Sequence, residues 1–204
     1  MMTGRSMAGL VLCGGGSTRM RREKALISVS GRPLVLHVAR ILEQVADPVL
    51  LAPGRSGRLG ALGYDEVDDA VPGSGPLGGL LGGLAESPHH LSAVVAVDMP
   101  FASAALFTLL AELHRDEDAV VPRTRSGPEP LHAVYARAAL PMLRSALADR
   151  ELALHMVLSR LRVRWVDQDE WTTADPSGRF ALNLNVEGDL ALLEAPQGSP
   201  PRPR

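Results

Sequence analysis

The sequence predicts a doubly wound α/β fold, in which a mostly parallel, Rossmann-like sheet carries helices on both faces. Short apolar runs of strand length alternate along the chain with longer segments whose apolar residues recur at helical spacing. Most of these runs are continuously apolar, which is typical of parallel strands that helices cover on both faces. The first run ends in three consecutive glycines, where α/β folds commonly place a ligand-binding loop.

The first two elements flank this glycine-rich loop. The run AGLVLC, residues 8–13, is too short for a helix and is predicted as a buried strand. Residues 34–45 carry apolar residues at helical spacing, and Pro33 suits the first turn of a helix. Clustered cations beside a flexible backbone suit a ligand with several negative charges, such as a polyphosphate. The loop contains four such cations, Arg19, Arg21, Arg22 and Lys24.

The alternation continues through the rest of the chain, with less regularity in the second half. Further continuously apolar strands are predicted at 48–52, 92–98 and 118–122, separated by helices at 76–86 and 102–114. After them, the pattern predicts a strand of alternating character at 130–136, helices at 138–148 and 152–161, a strand at 163–167 and a closing helix within 181–194. No linker divides these elements, so residues 1–195 are predicted as one domain. The remaining segment, 196–204, is rich in proline and arginine and is predicted to be disordered.

Composition limits the kinds of partner that the protein is expected to have. The 204 residues are 46% hydrophobic and 22% charged with a net charge of −2, which argues against a general nucleic-acid-binding or membrane-surface protein. No run approaches the roughly 20 apolar residues that a membrane-spanning helix needs. The single cysteine, Cys13, allows no internal disulfide and no cysteine metal cluster, which favours a reducing compartment. We therefore expect a cytoplasmic protein that binds neither nucleic acid nor membrane.

Two familiar phosphate-binding motifs fail at the glycine-rich loop. A dinucleotide fingerprint would need a third glycine where this chain has Arg19, and a P-loop would need a Gly-Lys-Ser/Thr sequence that is absent. The remaining interpretation is a looser loop whose backbone amides hold phosphate oxygens, with Arg19 and Lys24 reaching over them. The alternative is a structural glycine turn beside a solvated basic surface.

Asp98 is the strongest candidate metal ligand. It stands at the carboxyl end of a predicted buried strand, the edge where open α/β sheets bind ligands. A carboxylate close to a triphosphate suits Mg²⁺, which prefers oxygen ligands and often takes one or two carboxylates together with phosphates. The alternative is that Asp98 caps the following helix. Asn185 could add an amide oxygen to the same metal, or it could cap a helix in turn.

The glycine-rich loop and four later segments, in this order, resemble the motifs of a known family. The loop has the spacing G-G-x-S-x-R-M-x-x-(D/E)-K-A-L, and GRPLV follows it. The segments DDAVPGSGPLGGL at 68–80, AVDMPF at 96–101, PEPLHAVY at 128–135 and NLNVEGDL at 183–190 come after it. Together these motifs resemble the nucleotidyltransferase family that includes the MobA-type molybdenum cofactor guanylyltransferases. The resemblance covers roughly residues 9–194.

The resemblance implies a magnesium-dependent transfer of GMP from GTP to the phosphate of molybdopterin, with release of pyrophosphate and formation of molybdopterin guanine dinucleotide. It implies catalytic roles for Arg19, Lys24 and Asp98, and a metal site at Asp98 and Asn185. Molybdenum-insertion proteins are the partners expected to deliver the acceptor. The implied nucleotide contacts come from Leu12, Cys13, Gly14, Gly15, Gly16, Ser17, Lys24, Asp69, Gly75, Pro76, Leu77 and Asp98.

Three other functions stay open at this stage. A cytidylyltransferase acting on molybdopterin or another phosphorylated acceptor would use the same scaffold. A nucleotide-binding protein that has lost the chemistry would fit the departure at Arg21, where the family usually has glycine, but not the retention of Lys24, Asp69 and Asp98. A hydride-transferring dehydrogenase is disfavoured by Arg19 in the glycine fingerprint.

Overall fold

The computed structural model describes residues 7–14, 24–29 and 31–184 of the chain. The predictions made for the tail at 196–204 and for most of the closing helix within 181–194 fall outside these residues. The described strands are β1 (Met7–Leu12), β2 (Ser28–Val29), β3 (Arg32–Pro33), β4 (Val49–Gly54), β5 (Asp65–Asp68), β6 (Leu91–Ala96), β7 (Ala119–Thr124), β8 (Gly127–Pro128), β9 (His132–Ala136) and β10 (Val163–Val166). The described α-helices are α1 (Leu34–Leu42), α2 (Gly75–Glu86), α3 (Ala104–Leu113), α4 (Leu140–Ala148), α5 (Leu154–Val157) and α6 (Gln168–Trp171).

Eight of the described strands form one sheet at the centre of the protein. Its order is β10-β7-β9-β6-β1-β4-β5, with β8 paired to β7 at the side, and β2 and β3 form a separate small hairpin. Strand β1 pairs in parallel with both β4 and β6, β5 is parallel to β4, and β10 is parallel to β7. Strand β9 runs antiparallel to its neighbours β6 and β7. The predicted mostly parallel α/β sheet is therefore confirmed.

Helices cover both faces of this sheet. All six residues of β1 are buried, as expected of a central strand with helices above and below it. Helices α1 and α3 contribute to the apolar core on one face, while α2, α4 and α5 contribute to the core on the other. Helix α2 lies close to the sheet because it contains glycine where side chains would obstruct packing. A Cβ at Gly83, for example, would collide with the side chain of Leu10 in β1.

The chain path creates the crevice in which ligands bind in such folds. From β1 the chain passes through α1 to β4 and β5 on one side, and then through α2 to β6 on the other side of β1. The direction of winding therefore reverses at β1 and β6. Open α/β sheets bind ligands outside the carboxyl ends of their strands at this kind of switch point.

The structure differs from the sequence prediction in the second half of the chain. The helix predicted at 152–161 is instead the short α5 followed by a 3-10 turn, Leu158–Arg160. The residues that the apolar pattern pointed to, Leu154, Val157, Leu158 and Leu161, are all buried. The apolar spacing correctly predicted which residues are buried. It did not predict one continuous helix correctly, because a short α-helix followed by a 3-10 turn buries the same residues. None of the described helices is long and apolar enough to cross a membrane.

Candidate active site at the switch point

Four parallel strands, β6, β1, β4 and β5, end side by side at the switch point, and three of them bring sequence-predicted residues to this edge. Cys13 and Gly14 follow β1, Asp69 follows β5, and Asp98 stands two residues after β6. The Val97 amide donates to the carbonyl of Leu12 at 3.0 Å, which extends the pairing of β6 with β1 up to the site. Arg19, Gly15, Gly16, Ser17 and Asn185 lie outside the described residues, so their predicted roles stay predictions.

Lys24 and Asp98 form the central contact of the site. Nζ of Lys24 lies 2.9 Å from Oδ2 of Asp98, and the two side chains are 20% and 27% exposed. Lys24 is held by the 3-10 turn Lys24–Leu26, in which Ala25 is buried. No residue among those described donates a hydrogen bond to Oδ1 of Asp98. The pair thus presents an ammonium group for an anion and a carboxylate oxygen for a cation at one position.

Asp98 does not cap the helix that follows it. Helix α3 begins at Ala104, and its capping group is the hydroxyl of Ser103, which accepts from the Leu106 amide at 3.2 Å. Asp98 instead lies in a segment of two consecutive tight turns between β6 and α3, residues 97–103, which we call the Asp98 turn. In it the Met99 amide donates to the carbonyl of Ala96 and the Ala102 amide donates to that of Met99. The capping alternative for Asp98 is therefore wrong, and its carboxylate is left available to a ligand.

Gly14 is glycine because β4 leaves no room for a side chain. A Cβ there would lie 2.9 Å from the amide nitrogen of Gly54 and 3.0 Å from the carbonyl carbon of Pro53. The amides of Cys13 and Gly14 both donate to the carbonyl of Ala52, at 3.0 and 2.9 Å. The first glycine of the loop therefore lets β1 pack against the end of β4 and fixes the point from which the loop starts.

Asp69 is a partly desolvated carboxylate next to this glycine contact. Its amide donates to the carbonyl of Gly54 at 3.1 Å, and a Cβ on Gly79 of α2 would lie 3.3 Å from its Oδ1. Burial raises the pKa of the Asp69 carboxyl above its usual range, the neighbouring Asp68 raises it further, and Arg58 opposes both. Among the described residues it accepts no side-chain hydrogen bond. A ligand with O–H or N–H donors would relieve this desolvation.

The start of α2 lies beside Asp69, as the predicted nucleotide segment requires. Gly75 has φ = +63°, a left-handed conformation that favours glycine, and Pro76 follows in the first turn. The Ser74 hydroxyl donates to the carbonyl of Val71 and makes no capping bond to α2. Leu77 is fully buried, and Leu12 and Cys13 are nearly so, so these three residues can offer a ligand only their backbone.

The predicted acceptor segment, residues 128–135, reaches the same edge of the sheet. It leads into β9, and the Ala96 amide at the end of β6 donates to the carbonyl of Leu131 at 3.0 Å. Burial raises the pKa of the Glu129 carboxyl, while a hydrogen bond from Thr124, at 3.3 Å, partly opposes this shift. Two residues that the sequence did not single out also reach the Asp98 turn, His37 at Pro100 and His132 at Ser103. Nothing in their local sequence signals these long-range contacts.

The described residues contain no group of three or more histidine, cysteine or acidic side chains that could hold a metal ion by themselves. Asp98 provides a single carboxylate with one oxygen paired to Lys24. Such a donor set fits Mg²⁺, which commonly binds through one or two carboxylates and completes its shell with substrate phosphates and water. It would not fit a structural zinc site, which needs four protein ligands.

A mostly parallel sheet with charged side chains at its switch point is typical of α/β proteins that bind ligands at the carboxyl edge of the sheet. The chain belongs to the MobA-like NTP transferase domain family, whose model matches residues 9–169. It is 34% identical over 201 residues to a probable molybdenum cofactor guanylyltransferase of Chloroflexus aggregans, covering 95% of this chain and 96% of that protein. It is 29% identical over 194 residues to a molybdenum cofactor guanylyltransferase of Desulfosudis oleivorans, covering 93% and 95%.

Solved structures share the fold. The molybdopterin-guanine dinucleotide biosynthesis protein A of Archaeoglobus fulgidus superposes with a TM-score of 0.79 at 23% identity, over 92% of this chain and 97% of that one. The 2-C-methyl-D-erythritol 4-phosphate cytidylyltransferase of Thermus thermophilus superposes with a TM-score of 0.61 at 19% identity, over 91% and 96%. At these identities the likeness concerns the fold, which serves proteins named for different nucleotides.

Proposed function

We propose that the chain is a molybdenum cofactor guanylyltransferase, which transfers GMP from GTP to the phosphate of molybdopterin and releases pyrophosphate. The full-length match to relatives of that name supports the proposal. The structural observation that carries it is the contact between Lys24 and Asp98 at the switch point, where the glycine-rich loop begins. An ammonium and a carboxylate at this position suit a triphosphate that is bound together with a cation.

In this proposal the chain aligns two phosphates and neutralises charge. Lys24, Arg19 and the loop amides hold the β- and γ-phosphates, which become the pyrophosphate. Mg²⁺, held by Asp98 and completed by Asn185 and phosphate oxygens, would offset the negative charge that develops on the leaving group. An oxygen of the molybdopterin phosphate attacks the α-phosphorus of GTP as the bond to the leaving pyrophosphate breaks. No covalent intermediate with the protein is required.

Asp69 has a different role in the proposal, because it follows β5 whereas Asp98 follows β6, and these two strands lie on opposite sides of β1. A desolvated carboxylate is well suited to accept hydrogen bonds from the hydroxyl or N–H groups of a nucleoside. Gly78 and Gly79 of α2 pack against Asp69, and the backbone of residues 75–77, in the turn of the helix just before them, would complete the nucleoside side of the site. We therefore assign Asp69 to nucleotide binding and Asp98 to the reacting phosphates.

The first experiment is thermal unfolding with Mg²⁺ and each of GTP, CTP, ATP and UTP at equal concentration. A ligand at about 100 times its Kd adds roughly 2.7 kcal/mol of stability, which raises Tm by several degrees for a domain of this size. Selective stabilisation by GTP is expected, and repeating it in EDTA tests the magnesium requirement. Selectivity for CTP would keep the chemistry but change the product. No response to any nucleotide would favour a protein that has lost the activity.

The second experiment measures the reaction itself. Wild-type protein with GTP, Mg²⁺ and molybdopterin should release pyrophosphate and form the guanine dinucleotide, and omission of molybdopterin should abolish release. Binding assays with purified molybdenum-insertion proteins, in the presence and absence of molybdopterin, would test whether these proteins deliver the acceptor. Tight GTP binding without any pyrophosphate release would contradict the enzymatic proposal while keeping the nucleotide site.

A further inference from the structure

His132 is a fully buried histidine at the centre of the sheet that the proposed chemistry does not use. It is the first residue of β9 and stands opposite Val95 of β6, close to the carboxyl end of that strand. Its Nε2 atom accepts a hydrogen bond from the backbone amide of Ser103 at 3.0 Å. Because a backbone amide can only donate, Nε2 carries no proton and the ring proton is on Nδ1.

The neutral ring is held in an apolar environment. It stacks on Phe107 with a centroid distance of 4.0 Å and an interplanar angle of 9°, and Phe180 packs against it at 4.9 Å. Burial lowers the pKa of His132 to about 3, so the ring stays neutral near pH 7. Its Nδ1 is buried and has no hydrogen-bond partner among the described residues. A buried donor without a partner is costly, and a phenylalanine in this position would avoid that cost.

The hydrogen bond that His132 does make holds the far end of the Asp98 turn. Ser103, whose amide it binds, closes the turn and caps α3. The other contacts to this turn come from different elements: His37 of α1 donates from Nε2 to the carbonyl of Pro100 at 3.0 Å, and the Leu184 amide donates to the carbonyl of Asp98 at 2.8 Å. The turn is thus held near its start, middle and end, and His132 holds its far end from β9.

We propose that His132 is a positioning residue, which holds the Asp98 carboxylate in its working position by accepting the Ser103 amide. The acceptor atom, rather than the apolar ring, explains why a histidine occupies a site that would favour a hydrocarbon. The catalytic consequence rests on the proposed nucleotidyl transfer at Asp98. The structural part of the proposal, that the order of the turn depends on the acceptor, does not rest on that activity.

The test compares two substitutions that separate the ring from its acceptor. His132→Phe keeps an aromatic ring to stack on Phe107 and removes the acceptor. His132→Gln brings a carbonyl oxygen to about the reach of Nε2 and removes the stacking. We expect His132→Phe to leave Tm within a few degrees of the wild type, because the relief of the unpaired Nδ1 offsets the loss of the acceptor for Ser103. We expect kcat to fall at least tenfold while KM for GTP changes less than twofold. His132→Gln should recover kcat to within about threefold of the wild type even if its Tm is lower.

His114→Phe is the matched control. His114 is also buried, and it lies at the opposite end of α3, where its Nε2 bonds to the carbonyl of Glu117 at 3.0 Å. The same substitution there should change stability without lowering kcat. A kcat for His132→Phe within twofold of the wild type would overturn the positioning role. An equal loss of kcat in His114→Phe would show that His132 is only a packing residue. A kcat that falls in proportion to Tm across all the variants would show the same.

Two further measurements do not depend on catalysis. In wild-type protein with ¹⁵N-labelled histidine, the His132 ring should show a protonated Nδ1 and an unprotonated Nε2 by NMR, and the opposite tautomer would overturn the inferred hydrogen bond. Amide hydrogen exchange at Met99 and Ala102, which donate the bonds of the turn, should be at least tenfold faster in His132→Phe than in His114→Phe. Equal exchange would overturn the proposal even if the protein proves to have no transferase activity.

Discussion

Lys24 and Asp98 are 74 residues apart in the chain, yet Nζ of one lies 2.9 Å from Oδ2 of the other. The contact joins the segment after β1 to the segment after β6, which are the two strands at which the sheet reverses its winding. Both side chains are partly exposed, and ion pairs of this kind contribute about 0–1 kcal/mol to stability. The ion pair therefore adds little to the stability of the fold. Its position at the switch point is better explained by a ligand that both residues bind.

Asp98→Asn should consequently separate activity from stability. The amide keeps the shape of the side chain but loses the charge that the proposed metal and Lys24 require. We expect pyrophosphate release to fall by about 10²–10³-fold or more, the effect of losing a major electrostatic contact in an active site. Tm should stay within a few degrees of the wild type.

Asp116→Asn is the control for this charge change. Asp116 lies before β7, away from the carboxyl edge, and pairs with Arg162 at 3.4 Å on a well-exposed surface. Asp116→Asn should leave the rate of pyrophosphate release unchanged. Near-normal turnover in Asp98→Asn, measured with the same GTP and molybdopterin concentrations, would remove Asp98 from the catalytic site.

Asp68 and Asp69 are adjacent in sequence but occupy opposite environments. The amide and hydroxyl of Ser56 donate to Asp68 at 2.6 and 2.8 Å and lower the pKa of its carboxyl, whereas burial raises that of Asp69. Asp69→Asn should raise the Kd for GTP about tenfold, equivalent to about 1.4 kcal/mol, without lowering Tm, because it removes an unfavourably buried charge. Isothermal titration calorimetry with GTP and Mg²⁺ measures this effect.

Asp68→Asn tests whether the effect is specific to the buried carboxylate. This variant keeps an acceptor oxygen for Ser56 but loses the charge that strengthens both hydrogen bonds, so it should lower Tm slightly while leaving the Kd for GTP unchanged. If both variants weakened GTP binding equally, the negative potential of the pair would be responsible, and Asp69 would have no separate contact with the nucleotide.

The sequence predicted the parallel core of the fold because central parallel strands leave a strong local signal. Strands β1, β4, β6 and β7 each contain a buried, mostly apolar run, and all overlap the segments that the pattern indicated. Strand β5, with the sequence DEVD, was missed because an edge strand is short and largely exposed, so it shows no apolar run. The antiparallel direction of β9 was not predictable either, since the direction of a strand depends on its connections and not on its own residues.

In the candidate site, too, features with a local sequence signal were predicted and features that depend on the fold were not. Asp98 was predicted because it follows a strand that ends at the carboxyl edge of the sheet. Lys24 was predicted from the basic glycine-rich loop, and Asp69 from the resemblance to the family. The structure brings Lys24 and Asp98 into contact. The contact between Ser103 and His132 could not be predicted, because it joins a helix cap to a strand 29 residues later through a backbone amide. Backbone contacts of this kind depend on the fold and leave no residue pattern in the sequence.

Gly14 offers a prediction about the start of the glycine-rich loop. In Gly14→Ala, the new Cβ would lie 2.9–3.0 Å from backbone atoms of Pro53 and Gly54, which cannot move without disturbing β4. We expect a loss of about 1–3 kcal/mol in unfolding free energy and a GTP affinity at least tenfold lower, because the loop would start from a displaced position. Urea denaturation and calorimetry measure the two effects.

Cys13→Ala is the neighbouring control for Gly14→Ala. Cys13 is buried and alanine is smaller, so the variant should fold and keep its turnover with at most a modest loss of stability. Full activity of Cys13→Ala would also exclude a nucleophilic role for the thiol. Unchanged GTP binding in Gly14→Ala would mean that the loop adjusts independently of β4, contrary to the packing seen here.

His132 predicts how stability depends on pH. Its pKa is lowered to about 3 in the folded protein and returns to about 6.5 in the unfolded chain, so below pH 6.5 only the unfolded chain binds the proton. Stability from the neutral ring is therefore present above pH 6.5 and is lost as the pH falls. The unfolding free energy of the wild type should drop by about 2 kcal/mol relative to that of His132→Phe between pH 7 and pH 5.

Urea denaturation of both proteins at pH 7, 6 and 5 measures this difference, and the comparison cancels the titration of carboxylates common to the two. The gap should widen steadily as the pH decreases, because each further step leaves a larger fraction of the unfolded chain protonated at His132. Parallel curves would show that the folded protein accepts the proton as readily as the unfolded chain does. A neutral ring accepting the Ser103 amide would then be incompatible with the measured stability.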